Sequence, residues 1–264
     1  MKEKKEFFVP YIEGSLGKNT RRAIKRFALL ALFTLVLGAV VFSFFQKPFK
    51  NSTFELTSET KITGVYHESP YPMLRVEVAE GDFKNVVLLG FGKSSANPYL
   101  KKVQEETPDL NGRKLTIEGN LIYYNGKTLM QITDEEKVRL ADRSVTPIFS
   151  GQEITRMVFQ GEIIDPKCYF GVMKPGKGKI HRSCAVRCIS GGIPPVFAST
   201  DGNNVAKYFL LTDTNGNPIN DKVLPFVGQP ANIEGMVEKL GDDWFVIKTD
   251  INQIKLLNKE SSIY

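Results

Sequence analysis

The chain has 264 residues, 42% of them hydrophobic and 24% charged, which is enough for about two domains of ordinary size. Glycine (22) and proline (14) are near average and scattered, which excludes collagen-like, low-complexity and coiled-coil classes. The formal charge of +6 belongs to one end: residues 1–50 hold ten Lys and Arg against three Glu, and the remainder is almost neutral. A near-neutral folded part argues against a nucleic-acid binder.

The first predicted element is a transmembrane helix over 27–45, a run of 19 residues without a charge. At 1.5 Å per residue such a helix covers about 28 Å, close to the hydrocarbon thickness of a bilayer. Thr34 and Gly38 are tolerable inside it, because a threonine hydroxyl can bond to the preceding turn. Arg21, Arg22, Lys25 and Arg26 precede the run, and only Lys47 and Lys50 follow it. The positive-inside rule then places the 1–26 leader in the cytoplasm, and everything after about residue 46 outside a bacterial inner (plasma) membrane, periplasmic or extracellular. A cleaved signal peptide is the competing reading. It is opposed by the long leader, the long apolar stretch and the lack of a small-x-small site in the sequence that follows. Phe7, Phe8, Val9, Pro10, Tyr11 and Ile12 form an apolar patch within the leader, suited to the membrane surface or to another membrane protein.

Beyond a 46–57 linker, short alternating runs bounded by turn residues predict β structure, at 62–66, 73–78 and 86–89. A short helix follows at 97–103, with Asn97 as its cap and Pro98 at its first position. Two further strands, 114–123 and 128–132, flank the hairpin turn Asn125-Gly126. The stretch 110–132 then aligns without gaps on 226–248: Gly112 meets Gly228, Ile117-Glu118-Gly119 meets Ile233-Glu234-Gly235, and Asn125-Gly126 meets Gly241-Asp242. Upstream, Ile62-Thr63-Gly64-Val65 matches Phe159-Gln160-Gly161-Glu162 at a smaller offset. Two similar modules, 58–135 and 154–258, are therefore expected, joined by a 136–153 linker, with extra residues in the second.

Strand, two more strands, short helix and a two-strand return resemble the OB-fold, a five-stranded barrel. The expected fold class is accordingly mainly β: one N-terminal transmembrane helix followed by two tandem OB-like small barrels. The shared glycines would mark sharp strand bends; an open β-sandwich is the alternative. Membrane-anchored OB proteins that carry haem in cytochrome c maturation attach it through a histidine near the end of the barrel. This chain has only His67 and His181, neither in that place, so that role does not transfer.

The extra residues, 165–195, contain all three cysteines, Cys168, Cys184 and Cys188, and one of the two histidines. On a helix from about 181 to 190, His181, Cys184 and Cys188 fall at i, i+3 and i+7, on one stripe. Gly191-Gly192 would end that helix, with Pro194 and Pro195 beyond it. Cys168 could complete a Cys3His set suited to Zn, or alternatively to Cu(I) or an iron centre. A disulfide with a spare thiol, or redox-active thiols, are the competing readings in an oxidising compartment. Lys167, Lys174, Lys177, Lys179, Arg182 and Arg187 make the segment cationic. Lys174, Lys177, Lys179, Arg182 and Arg187 are candidate contacts for an anion or an acidic partner. His67, beside Glu68, reads as a surface hairpin residue.

As a block, 161–195 resembles an uncharacterised group of bacterial membrane-anchored proteins with a C-Y-x-G-V-M-x-P-G…H-R-x-C-A…C-I-x-G-G-I-P-P pattern. The resemblance covers about an eighth of the chain and implies that the segment is one unit; it brings no activity with it. Copper chaperones of cytochrome oxidase assembly pair C-x3-C with a histidine, as Cys184, Cys188 and His181 do here. They use a thioredoxin fold, so only the ligand types transfer. No Ser-His-Asp set or singled-out carboxylate pair suggests an enzyme. The expected role is a non-catalytic accessory subunit of an envelope membrane complex, binding other subunits through a metal- or disulfide-stabilised loop. A metallochaperone or electron-transfer protein is the alternative.

Overall fold

The computed structural model describes residues 17–45, 52–146, 151–171, 173–200, 206–241 and 243–257. The apolar leader patch from Phe7 to Ile12 lies outside them, as do 46–51 and 147–150 of the expected linkers. Helix α1 (Lys18–Phe45) is long and apolar enough to cross a membrane. It begins nine residues before the uncharged run and so includes Arg21, Arg22, Lys25 and Arg26. Thr34 Oγ1 donates to the Leu30 and Ala31 carbonyls at 3.0 and 2.9 Å, so the hydroxyl is satisfied within the helix as expected.

The rest of the chain folds as two small barrels. The first comprises β1 (Ser52–Phe54), β2 (Thr60–His67), β3 (Met73–Ala79), β4 (Asp82–Gly90), α2 (Asn97–Glu106), β5 (Arg113–Tyr124), β6 (Lys127–Ile132) and β7 (Val138–Val145). Strands β2, β3, β4, β6 and β5 pair in that order, and β5 returns to β2; the β4–β6 pair is parallel and the others antiparallel. That closure is the OB arrangement.

The second barrel comprises β8 (Gln152–Ile164), α3 (Pro166–Phe170), α4 (Gly178–Ser190), β9 (Val196–Thr200), β10 (Ala206–Thr212), α5 (Asn220–Val223), β11 (Pro230–Leu240), β12 (Trp244–Lys248) and β13 (Ile254–Leu256). It repeats the pairing as β8, β9, β10, β12, β11 and back to β8, again with one parallel pair, β10–β12. The insertion is the connection between its first two strands, which is why the two halves match at both ends and differ in between.

The repeat is physical as well as textual. Gly112 and Gly228 both take positive φ, 77° and 68°. Ile117 and Ile233 are both fully buried. Gly64 and Gly161 each face the backbone of the next strand. A Cβ on Gly161 would lie 2.2 Å from the Ala198 carbonyl oxygen and 2.9 Å from Ser199 Cα, neither of which can rotate away. Gly161→Ala is therefore expected to destabilise the protein by about 2–3 kcal/mol, read as a lower urea midpoint.

Three local readings change. Residues 52–54 and 138–145, expected in linkers, form β1 and β7, both on β5. The 12-residue β5 outruns β2 on one edge and β6 on the other, and these short strands cover its remaining backbone groups. Asn97 is the first residue of α2 rather than its cap, a place taken by Ala96 without a side-chain bond. His67 is 5% exposed, inside the end of β2, and burial with Arg75 nearby pushes its imidazole below the ordinary value.

A continuous apolar cluster lies between the barrels. Tyr71, Met73, Val87, Leu89, Ile122 and Leu129 of the first pack with Ile164, Phe170, Cys188, Val196, Leu210, Trp244 and Val246 of the second. Polar contacts reinforce it. Asn85 donates its N–H and side-chain amide to the Asp243 carboxylate at 2.8 and 2.9 Å, Trp244 Nε1 donates to the Asn85 carbonyl at 3.0 Å, and Tyr71 donates to the Leu211 carbonyl at 2.6 Å.

Candidate metal centre

The cysteine segment sits against this seam. Asp165 and Pro166 open α3 as a helix start should: Asp165 Oδ1 accepts from the N–H groups of Lys167 at 2.9 Å and Cys168 at 3.4 Å, and Pro166 occupies the first turn. This fixes Cys168 beside α4. Helix α4 ends at Gly191, with Gly192 at φ 97°, where the sequence predicts its stop. Asn220 Nδ2 donates to the Ile189 and Ile193 carbonyls at 2.9 Å each, and Ser95 N–H donates to the Gly191 carbonyl at 2.9 Å. The end of α4 is thus held by both barrels.

The three sulfurs converge. Sγ of Cys168, Cys184 and Cys188 all lie within 4.8 Å of one another, and the three cysteines are free thiols with no disulfide. An ion at the centre of such a triangle is at most about 2.8 Å from each sulfur, within a small side-chain adjustment of a metal–thiolate bond. Cys188 is buried, while Cys168 and Cys184 are half-buried, so the cluster is close to solvent on one side.

His181 belongs to the neighbouring end of the same stripe. Its ring forms a second close group, also within 4.8 Å, with Asp165 and Cys168 rather than with the full sulfur triad. The reason is helical rise: seven residues separate His181 from Cys188 along α4, about 10.5 Å of axis. The expected Cys3His set is therefore two overlapping groups that share Cys168.

One lysine from each barrel lies near the sulfurs. Lys167 is 7% exposed; its Nζ donates to the carbonyls of Gly90 at 2.7 Å and Gly92 at 2.8 Å in the first barrel. Burial pushes its pKa down to about 8, against the opposing pull of Asp165, Cys188 and Cys168. Lys93 Nζ lies 3.5 Å from Cys184 Sγ. The Cys168 thiol is pushed up, first by its hydrogen bond with Cys188, then by burial and the Asp165 charge. A metal ion bound there would take the place of the thiol protons.

Of the other predicted cations, Lys174 donates to the Tyr169 carbonyl at 2.6 Å and lies 5.1 Å from the centre of the Tyr124 ring. Arg182 donates to the Pro225 carbonyl at 3.1 Å. Lys177, Lys179 and Arg187 are exposed. Phe170 stacks on Tyr124 at 5.2 Å and meets Tyr208 edge-on at 5.0 Å, an aromatic wall beside Cys168 that also crosses the seam.

Asp165 and Lys93 escape a reading of spacing alone, whereas Lys167 directly precedes Cys168 and is one of the cations that the sequence shows in this segment. The Asp-Pro pair announces a helix start, but nothing in it announces a carboxylate beside three sulfurs. Lys93 is 75 residues from Cys168 in sequence. No family model matches the chain, and a search of curated proteins likewise finds no match.

Proposed function

We propose that this chain is a membrane-tethered envelope protein that holds a soft or borderline metal ion, Zn or Cu(I), on Cys168, Cys184 and Cys188. In this reading its tandem barrels act as a non-catalytic accessory module of a membrane complex on the outer face. The observation that carries the metal site is the convergence of three free thiols, drawn from two helices, on one point. The donor set suits such an ion: thiolates are soft ligands. Helix α1 supports tethering, and the excess of basic residues before its uncharged run supports the orientation.

A metallochaperone is the second reading. It is favoured by the partial exposure of Cys168 and Cys184, which leaves the sulfurs within reach of an acceptor.

The reduced full chain in detergent should retain at least one thiolate-bound ion after dialysis, and the ion should shield its thiols from alkylation. Cys188→Ser should weaken retention by at least a hundredfold. No retained ion, or a single Cys–Cys bridge in protein isolated without reductant, would overturn the metal reading. Removing the ion with a chelator separates the two roles: lost cooperativity of unfolding favours the structural role, and an unchanged fold with rapid delivery to an acceptor favours the chaperone.

A further inference from the structure

The sulfur triad leaves two buried groups unexplained. Asp165 is fully buried; Oδ1 caps α3, but Oδ2 has no hydrogen-bond partner among the described residues. His181 is 4% exposed, and its Nε2 has no partner among them either. Burying a carboxylate oxygen and an imidazole nitrogen unpaired costs about 1–3 kcal/mol each, more when the group is charged. Such groups call for a physical explanation, a bound ion or water among them. The ligand atoms of both stand within 4.8 Å of each other and of Cys168 Sγ. Lys167, the nearest buried cation, points its Nζ elsewhere, at Gly90 and Gly92.

We infer that Asp165, Cys168 and His181 form a second cation position, and that the Cys168 thiolate bridges it to the ion on the triad. The inference rests on the metal reading of the triad. One oxygen, one imidazole nitrogen and one thiolate suit a borderline divalent ion such as Zn2+ or Co2+. One ion cannot use every ligand: His181 and Cys188 lie at opposite ends of a stripe of about 10.5 Å, and Cys168 is the residue common to both groups. A shared thiolate would hold two ions about 3.5–4 Å apart, the spacing of two-metal sites. Each thiol gives its proton to solvent as it binds. The second position has three protein ligands, which leaves room for a water or a small anion.

The test is Co2+ binding to the reduced full chain in detergent, measured by equilibrium dialysis with optical and electron paramagnetic resonance spectra. The expected result is two ions per chain, with the resonance signal per cobalt reduced by coupling through the shared sulfur. Asp165→Asn retains an oxygen for the α3 cap; paired with His181→Gln it should lower binding from two ions to one, keep the thiolate absorption, and restore the full signal. Cys184→Ser should also lower it to one, without the triad's share of that absorption. One ion in the wild type, unaffected by Asp165→Asn with His181→Gln, overturns the second position and leaves the triad standing. One ion abolished by either change overturns it in favour of a single mixed centre. No bound ion overturns both readings. If the double variant fails to fold, His181→Gln alone carries the same comparison.

Discussion

Trp244→Ala is expected to lower the stability of the outer portion by about 4 kcal/mol, the range for removing a large aromatic side chain from a core. The indole is fully buried at the start of β12, in the cluster that joins the barrels. Its Nε1–H satisfies the Asn85 carbonyl of the first barrel, and Lys127 Nζ lies 5.2 Å from the ring centre. Truncation removes the apolar contact, opens a cavity and strands a buried carbonyl in one step. Urea unfolding of the full chain in detergent should show a lower midpoint and a transition split between the barrels, because the interface that couples them is lost. Trp244→Phe keeps most of the packing and loses the N–H, so it should fall between wild type and alanine. A loss below about 1 kcal/mol in the alanine variant would mean that the seam contributes little to stability.

Lys167→Met is expected to act on stability and on metal binding together. The ammonium bonds two carbonyls of the first barrel from a helix of the second. Its loss leaves both carbonyls without their donor, and relief of the buried charge offsets part of the cost, for a net loss of about 2–4 kcal/mol. The same substitution removes a cation beside the thiols, so their ionised form becomes harder to reach and metal affinity should drop about tenfold. Denaturant midpoint and competition against a chelator read the two effects separately. Lys93→Met tests the electrostatic part by itself, since Lys93 is exposed: affinity should fall with little change in the midpoint. A Lys167→Met protein with unchanged midpoint and unchanged affinity would show that this lysine links nothing.

Several elements are local enough to be legible in the chain. The uncharged run over 27–45 makes α1, because backbone bonds inside one helix need no partner. Asn125 and Gly126 both take positive φ, 47° and 79°, so the hairpin forms where the turn chemistry puts it. Glycines at equivalent repeat positions predicted matching barrels, since the same close strand approaches recur in each. The stripe of His181, Cys184 and Cys188 follows from helical spacing, and Gly191-Gly192 from the way helices end.

Other features depend on contacts between distant residues. Strands β1 and β7 exist because β5 has uncovered edges, which is a property of the closed sheet and not of residues 52–54 or 138–145. His67 looks like a solvated hairpin residue next to Glu68, but barrel closure buries it. Periodicity put an imidazole and two sulfurs on one helical face and named Cys168 as a fourth ligand. Packing divided that face into two ends, placed Asp165 at one of them, and brought Lys93 to the Cys184 sulfur. Spacing along a chain determines which side chains share a surface of one element. Only tertiary packing determines which side chains of different elements meet: the seating of α3 beside α4 brings Cys168 to the other sulfurs, and the docking of the two barrels, through burial of Trp244, Phe170 and their neighbours, adds Lys93.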